Sequence, residues 1–290
     1  MMRLALGTAQ FGFDYGVANS NGQVLQENAK EIIEYCKLEG IVMLDTAVDY
    51  GLSERCLGQV GVEDFDIVTK LPSIPEHSTD IETWIIREVS ASMSHLNVKR
   101  LYALMLHRPE QLLGPNGERI LRSLDKLKAI GLVKKIGISA YSPEEIEIIF
   151  NMYRFDIVQA PFNLLDQRLV NTGCLNKLSA NGVEVHTRSS FLQGLLLLPR
   201  DAIPNKFKAW NFLWDSWHDW LIKNNISAVE GCLAFVLTYS KINKVVVGVD
   251  TRDQLKEIVR STLLPSRGIT FPDISCSDTD LVNPMNWNKL

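Results

Sequence analysis

Eight short apolar runs recur along this chain, and between them hydrophobic residues fall at helical spacing. The runs are residues 3–8 (RLALGT), 41–46 (IVMLDT), 66–70 (DIVTK), 101–106 (LYALML), 134–139 (KKIGIS), 156–160 (DIVQA), 183–188 (VEVHTR) and 244–249 (KVVVGV). Most are nearly continuous rather than alternating, the pattern of parallel strands covered on both faces. Residues 27–39 carry Ile32, Ile33, Tyr35 and Cys36 on one side of a helix. Residues 80–96 do the same with Trp84, Ile85, Val89 and Met93, and residues 117–130 with Ile120, Leu124, Leu127 and Ile130. Ser142, Pro143, Glu144 and Glu145 read as N-cap, N1 proline and acidic first turn of a helix over 143–151. Further helices fit 171–180, 227–240 and 251–261.

Strands alternating with helices at roughly 30-residue spacing belong to the α/β class and point to a single (β/α)8 TIM barrel. A doubly wound sheet is the rival, but no glycine-rich dinucleotide fingerprint follows the first strand. No linker interrupts residues 1–290, so one domain is expected. An insert at 190–224 separates the seventh strand from its helix. In it Phe207, Trp210, Leu213, Trp214, Trp217 and Leu221 recur at three- and four-residue steps. This predicts an extra amphipathic helix over the barrel's C-terminal face, its tryptophans serving packing before ligand contact.

Composition narrows the partners. A formal net charge of −4 supplies no basic field for nucleic acid or anionic membranes. No segment approaches 18 apolar residues, and the start, MMRLALGTAQFG, lacks the apolar core of a signal peptide. Five cysteines without a C-x-x-C pair read as reduced thiols in a cytoplasmic protein. Histidines lack H-E-x-x-H spacing, so no metal site is expected.

In a barrel, groups at the C-terminal ends of strands converge. Asp45 ends the second strand, and Tyr50 follows in the loop, within MLDTAVDYGLSE. Lys70 ends the third strand and His107 the fourth. Taken singly, an Asp here is commonly a helix cap and a His a satisfied core residue. Together they form a proton-transfer device. A nearby ammonium stabilises a phenolate, a carboxylate holds the ammonium in place, and an imidazole orients a carbonyl oxygen. Such a site lacks an electron source, which implies a hydride-carrying cofactor.

DTAVDYGLSERCLG resembles the D-T-A-x-x-Y-G-x-S-E-x-x-x-G signature of the aldo-keto reductases. VTKLP and LMLHRP resemble that family's Lys and His segments, GLVKKIGISAYSPEEIE its fifth strand and helix, and DIVQAPFNLLD its sixth. The similarity runs from Gly7 to about Ile258. It implies Tyr50 as general acid/base, Lys70 and Asp45 as its tuning pair and His107 as the carbonyl-orienting residue. It also implies a nicotinamide dinucleotide across the barrel mouth, NADPH before NADH. Gly7 and Thr8 would line the nicotinamide ribose, and Ser139 and Gln159 would hold the carboxamide. Ser189, Phe191, Gln193 and Gly194, within SSFLQGLL, would follow the pyrophosphate. Gly248, Asp250, Arg252, Gln254 and Glu257 would meet the adenosine end.

Three departures from the family pattern stand out. Ala140 replaces a frequent Asn, which removes one carboxamide contact. Arg188 stands where an aromatic commonly stacks on the nicotinamide; it can stack there or pair with a carboxylate. At the adenosine end Arg252 suits a 2′-phosphate, whereas Asp250 suits a free ribose hydroxyl.

For the substrate, Phe11, Phe13, Tyr15, Phe162 and the insert tryptophans are expected contacts, with Gln10, Asp14, Arg108 and Asn163 as polar ones. The tail from about 262 is expected to help wall the pocket. A sugar-derived aldehyde or ketone, nucleotide-linked or not, is the expected small-molecule partner. Two other readings stay open. One is a binding module that senses nicotinamide redox state, as the family's potassium-channel β subunits do. The other is a lyase with Lys70 as a Schiff-base nucleophile.

Overall fold

A computed structural model describes residues 2–19, 22–76, 78, 80–263 and 268–290. All eight apolar runs are strands: β1 (Leu4–Gly7), β2 (Met43–Asp45), β3 (Asp66–Leu71), β4 (Leu101–Leu106), β5 (Val133–Ser139), β6 (Ile157–Pro161), β7 (Glu184–Arg188) and β8 (Lys244–Gly248). They pair in parallel in sequence order, and β8 closes on β1, giving the expected (β/α)8 barrel. Helices follow the strands at Gln26–Leu38, Ser53–Val60, Ile81–Leu96, Gly117–Ala129, Pro143–Met152, Cys174–Ala180, Ala228–Leu237 and Arg252–Ser261. The Ser142 side chain caps its helix by accepting from the Glu145 amide, as the sequence predicts. The helix Ser53–Val60 had no periodic apolar pattern to announce it. Its buried face mixes Cys56 and Leu57 with Ser53 and Glu54, and the glutamate accepts hydrogen bonds from Thr69 and Ser92.

Two layers of core fix the mouth of the barrel. Leu4, Leu6, Leu44, Ile67, Val158, Val245 and Val247 face outward to the helices. Ala5, Met43, Val68, Ala103, Met105, Ile157 and Val246 form a separate cluster that fills the lumen. Side chains alternate along a strand, so residues two positions on point the same way. Gly7, Asp45, Lys70, His107, Gln159 and Gly248 each lie two positions beyond a lumen residue. They form the next layer up, at the C-terminal mouth. Register agrees: Gly7 pairs with both Asp45 and Gly248, and Ser139 with Gln159.

The opposite end of the barrel carries a polar network. Tyr102 Oη donates to Glu184 Oε2 at 2.8 Å, and His186 Nε2 lies 2.7 Å from Glu184 Oε1. Lys135 Nζ bonds the same carboxylate. Burial pushes the Glu184 carboxyl up, but hydrogen bonds from His186 and Lys135 overcome it and hold the group down at about 2.

The insert contains the helix Asn211–Asn224. Its tryptophans pack rather than face a ligand, as expected. Trp217 and Trp220 stack at 5.5 Å, and their indoles donate to Leu196 O and Thr270 O. A Cβ on Gly231 would stand 2.7 Å from Trp217, so the insert rests against the helix Ala228–Leu237.

Glu184→Gln removes the charge that three donors converge on. We expect a loss of about 2–3 kcal/mol at pH 7 in urea unfolding, since Lys135 is left partly buried without its counter-ion. The Glu184 pKa is lower in the folded chain than in the unfolded one, where about 4.3 is usual. In the wild type its contribution is therefore present above that value and lost as pH falls toward 2.

Candidate active site

Lys70 and Asp45, on adjacent strands, form a buried ion pair of 2.6 Å. Lys70 Nζ also donates to Thr46 O at 2.9 Å, and Gln159 Nε2 donates to the second carboxylate oxygen of Asp45 at 2.7 Å. Burial pushes the Lys70 ammonium below its usual range, and the Asp45 carboxylate opposes that push. Gln159, expected to hold a carboxamide, is thus already the third member of this cluster. Its Oε1 faces Ser139 Oγ at 3.5 Å.

Tyr50 is set over this pair by close backbone contact. A Cβ on Gly12 would lie 1.6 Å from Tyr50 O, and one on Gly51 would lie 2.7 Å from Gly12 O. Gly51 also has φ +55°. Only glycine at both places lets the Tyr50 loop seat against residues 9–12. Lys70 Nζ then stands 5.0 Å from the Tyr50 ring centre, with Phe13 and His107 edge-on at 6.1 and 5.8 Å. Burial raises the Tyr50 phenol above its ordinary range, Asp45 adds to the rise, and Arg188 opposes it. The sequence argument expected the Lys70 ammonium to lower it. That charge is spent on Asp45 at 2.6 Å, so the phenol keeps its proton. Among the described residues the Tyr50 hydroxyl has no hydrogen-bond partner, and it is not sealed from solvent.

His107 Nδ1 lies 3.2 Å from Asp49 Oδ2. Burial, aided by the charges of Lys70, Arg188 and Arg108, brings the imidazole down to about 3, so the ring is neutral near pH 7.

A cavity of about 410 Å³ opens beside Tyr50 and runs across the mouth. Gly7, Thr8, Asp45, Tyr50, Gln159 and Arg188 line it, together with Gly248, Asp250, Gln254 and Glu257. Ser189, Ser190, Phe191, Gln193 and Gly194 border it too. Ser189, Leu192 and Gln193 adopt φ of 64°, 48° and 53°, strained for non-glycine residues and typical of ligand-binding loops. Asn163 braces the loop by donating to Ser189 O, and Val17 N donates to Gln193 O. Among the described residues the buried Ser190 Oγ and Asp250 Oδ1 have no partner. Unsatisfied buried polar atoms are costly, and both border the groove. An extended dinucleotide with hydroxyls and a pyrophosphate fits this lining.

Several expected contacts lie elsewhere. Phe11 is buried in the outer core. Phe162 is fully buried against Phe235 and Tyr239 at 5.4 and 4.9 Å. Asn163 is wholly buried as a turn brace. Arg252 lies 5.6 Å over the Tyr35 ring and does not line the groove. No insert tryptophan and no described tail residue lines it either; residues 264–267 of the tail lie outside the described residues. Tyr15 and Gln10 do line it, while Phe13 stands at its rim against Tyr50. Arg188 has no carboxylate in ion-pair reach among the described residues. It lies 4.6 Å over Tyr141 and donates to Ala140 O, with Arg108 5.9 Å from the same ring. Asp49 and Tyr141 are site neighbours that the sequence did not single out; only their adjacency to Tyr50 and Ala140 could have flagged them.

A model of the aldo/keto reductase family matches residues 3–268. The NADH-specific methylglyoxal reductase of Escherichia coli (strain K12) is 24% identical over 306 residues, covering 89% of each chain. The 6-dehydroglucose reductase of Agrobacterium fabrum is 29% identical over 135 residues, 40% of this chain and 45% of that one. Among solved structures, an aldo-keto reductase from Bacillus halodurans superposes with a TM-score of 0.72 at 20% identity, covering 90% of this chain and 86% of that one. A glycerol dehydrogenase from Gluconobacter oxydans gives 0.70 at 23% identity, covering 94% and 88%.

Gly12→Ala should displace the Tyr50 loop, because its new methyl overlaps a backbone carbonyl. We expect at least a tenfold loss of whatever turnover Tyr50 supports, since misplacing a reacting group by about 1 Å costs up to ~100-fold. Steady-state rates beside a thermal melt would separate this from unfolding.

Proposed function

The chain belongs to the aldo-keto reductase family and is an NAD(P)H-dependent oxidoreductase acting on carbonyl groups; we propose that Tyr50 supplies the proton in this reaction. The observation that carries the reading is the Tyr50 hydroxyl, free of partners among the described residues and open beside the closed Lys70–Asp45 pair. The dinucleotide supplies a hydride when bound. Ser190, Gly194 and the loop around them would hold its middle, and Asp250 and Glu257 its adenosine end. The substrate oxygen gains negative charge as hydride arrives. An alkoxide is far more basic than a phenol, even one raised above its usual pKa of about 10, so Tyr50 Oη passes its proton to that oxygen. Lys70, Asp45 and Gln159 keep the floor under Tyr50 rigid and electrically neutral.

We assign NADH rather than NADPH as the preferred cofactor. Asp250 Oδ1, without a partner among the described residues, suits a ribose hydroxyl donor, and Asp250 with Glu257 would repel a 2′-phosphate. Arg252, the cation that would favour that phosphate, lies on Tyr35. The E. coli relative carries the same preference in its name.

Three outcomes check these assignments. Tyr50→Phe should lower aldehyde reduction by about 10²–10⁴-fold while NADH still quenches protein fluorescence; wild-type turnover in that variant removes Tyr50 from the role. NADH should bind at least about tenfold tighter than NADPH, a difference of ~1.4 kcal/mol, and Asp250→Ala should narrow the gap. The kcat/KM for reduction should stay flat from about pH 5 to 9. His107 titrates near 3 and the Tyr50 phenol above its ordinary value of about 10.

A further inference from the structure

Arg188 ends β7 and lines the cavity that Tyr50 lines. Its side chain is half-buried and lies 4.6 Å over the Tyr141 ring, with Nη2 donating to Ala140 O at 3.1 Å and Nη1 facing Ser189 Oγ at 3.4 Å. None of these partners carries a charge. The carboxylates around it are committed elsewhere. Glu145 accepts from the Tyr141 amide at 2.7 Å, and Asp49 lies 3.2 Å from His107. Burial raises both carboxyls above their ordinary range, which disfavours their charged forms. The charge of Lys70 is cancelled by Asp45 at 2.6 Å. A guanidinium stays protonated at any ordinary pH. Among the described residues, then, Arg188 is a fixed positive charge on the cavity wall with no counter-ion in ion-pair reach.

That charge is felt where the reaction would take place. It opposes protonation of Lys70 and His107 and favours the ionised form of Tyr50. Hydride transfer needs its reacting atoms about 3–3.5 Å apart. A nicotinamide ring serving a carbonyl at Tyr50 Oη therefore sits inside the same field. The ring is neutral when reduced and carries a full positive charge when oxidised, while the rest of the dinucleotide is the same in both. Like charges several ångströms apart repel even where water partly screens them. The field leaves the reduced ring alone and works against the oxidised one.

We infer that Arg188 makes the cavity discriminate between the two oxidation states of its dinucleotide, holding the reduced form and expelling the oxidised one. This rests on the nicotinamide reading and on Tyr50 as proton donor. Its consequence is a pocket that clears itself after each turnover and takes up NADH from a solution that also contains NAD+.

Calorimetric titration of the full-length protein with NADH and, separately, with NAD+ tests this without turnover. In the wild type NADH should bind at least about tenfold tighter, ~1.4 kcal/mol. Arg188→Gln, which keeps a polar side chain and removes the charge, should bring the two constants together, chiefly by tightening NAD+. Arg188→Lys, which restores the charge, should recover most of the gap. Arg108→Gln removes a second cation, one that lies 5.9 Å from Tyr141 and is not among the residues lining the cavity, and should leave the ratio in place. Equal binding of the two forms by the wild type overturns the inference, as does a ratio that survives Arg188→Gln or falls equally in Arg108→Gln. Should the protein prefer the phosphorylated pair, NADPH and NADP+ are titrated instead and the same ratio decides. Absence of binding by every one of these forms overturns the nicotinamide reading and this inference with it. Turnover persisting in Tyr50→Phe, by contrast, removes the proton donor while the binding ratio still decides the role of Arg188.

Discussion

A buried lysine in contact with a buried aspartate is the constraint around which the mouth of this barrel is organised. Taking either charge out of water alone would cost several kcal/mol. Lys70 and Asp45 avoid this by meeting at 2.6 Å and by filling their remaining capacity with Thr46 O and the Gln159 amide. The pair therefore sums to no net charge. Burial then governs Tyr50, and the phenol holds its proton instead of shedding it. A free ammonium in the same place would have pulled the phenol's pKa down. The aspartate thus decides which form of the tyrosine the groove meets.

The strand-end residues were legible because a parallel barrel converts sequence spacing into direction. Asp45, Lys70 and Gln159 each sit two positions after an apolar lumen residue, and the alternation of a strand leaves them nowhere else to point. The loops obey no such rule. Phe11 and Phe162 look like pocket aromatics in the one-letter code, but both turn into the outer core, where Phe162 meets Phe235 and Tyr239. Arg252 reads as a phosphate ligand at a helix start, yet it finds the face of Tyr35. The helix Ser53–Val60 escaped notice because half its buried face is polar, and its Glu54 is satisfied by Thr69 and Ser92, residues distant in sequence.

The stretch from Ser189 to Gly194 shows how strain is supported. Three non-glycine residues there hold left-handed backbone, a conformation with a cost of order 1–3 kcal/mol each. Asn163, which sequence suggested for the substrate, holds this loop instead, spending its side chain on Ser189 O and on the amides of Leu165 and Asp166. Val17 ties the other side to Gln193 O. The Ser190 hydroxyl, unpartnered among the described residues, is buried within that scaffold.

The lumen beneath Asp45 and Lys70 is packed with Met43, Val68, Met105 and Ile157, and Glu184 gathers Tyr102, Lys135 and His186 at the far end. Among the described residues the lumen is therefore filled below and opens at the Tyr50 end. In the reaction proposed above, cofactor, substrate, departing alcohol and the proton returned to Tyr50 would all share this one threshold, so traffic there would be sequential. The first guest to arrive shapes the room left for the next.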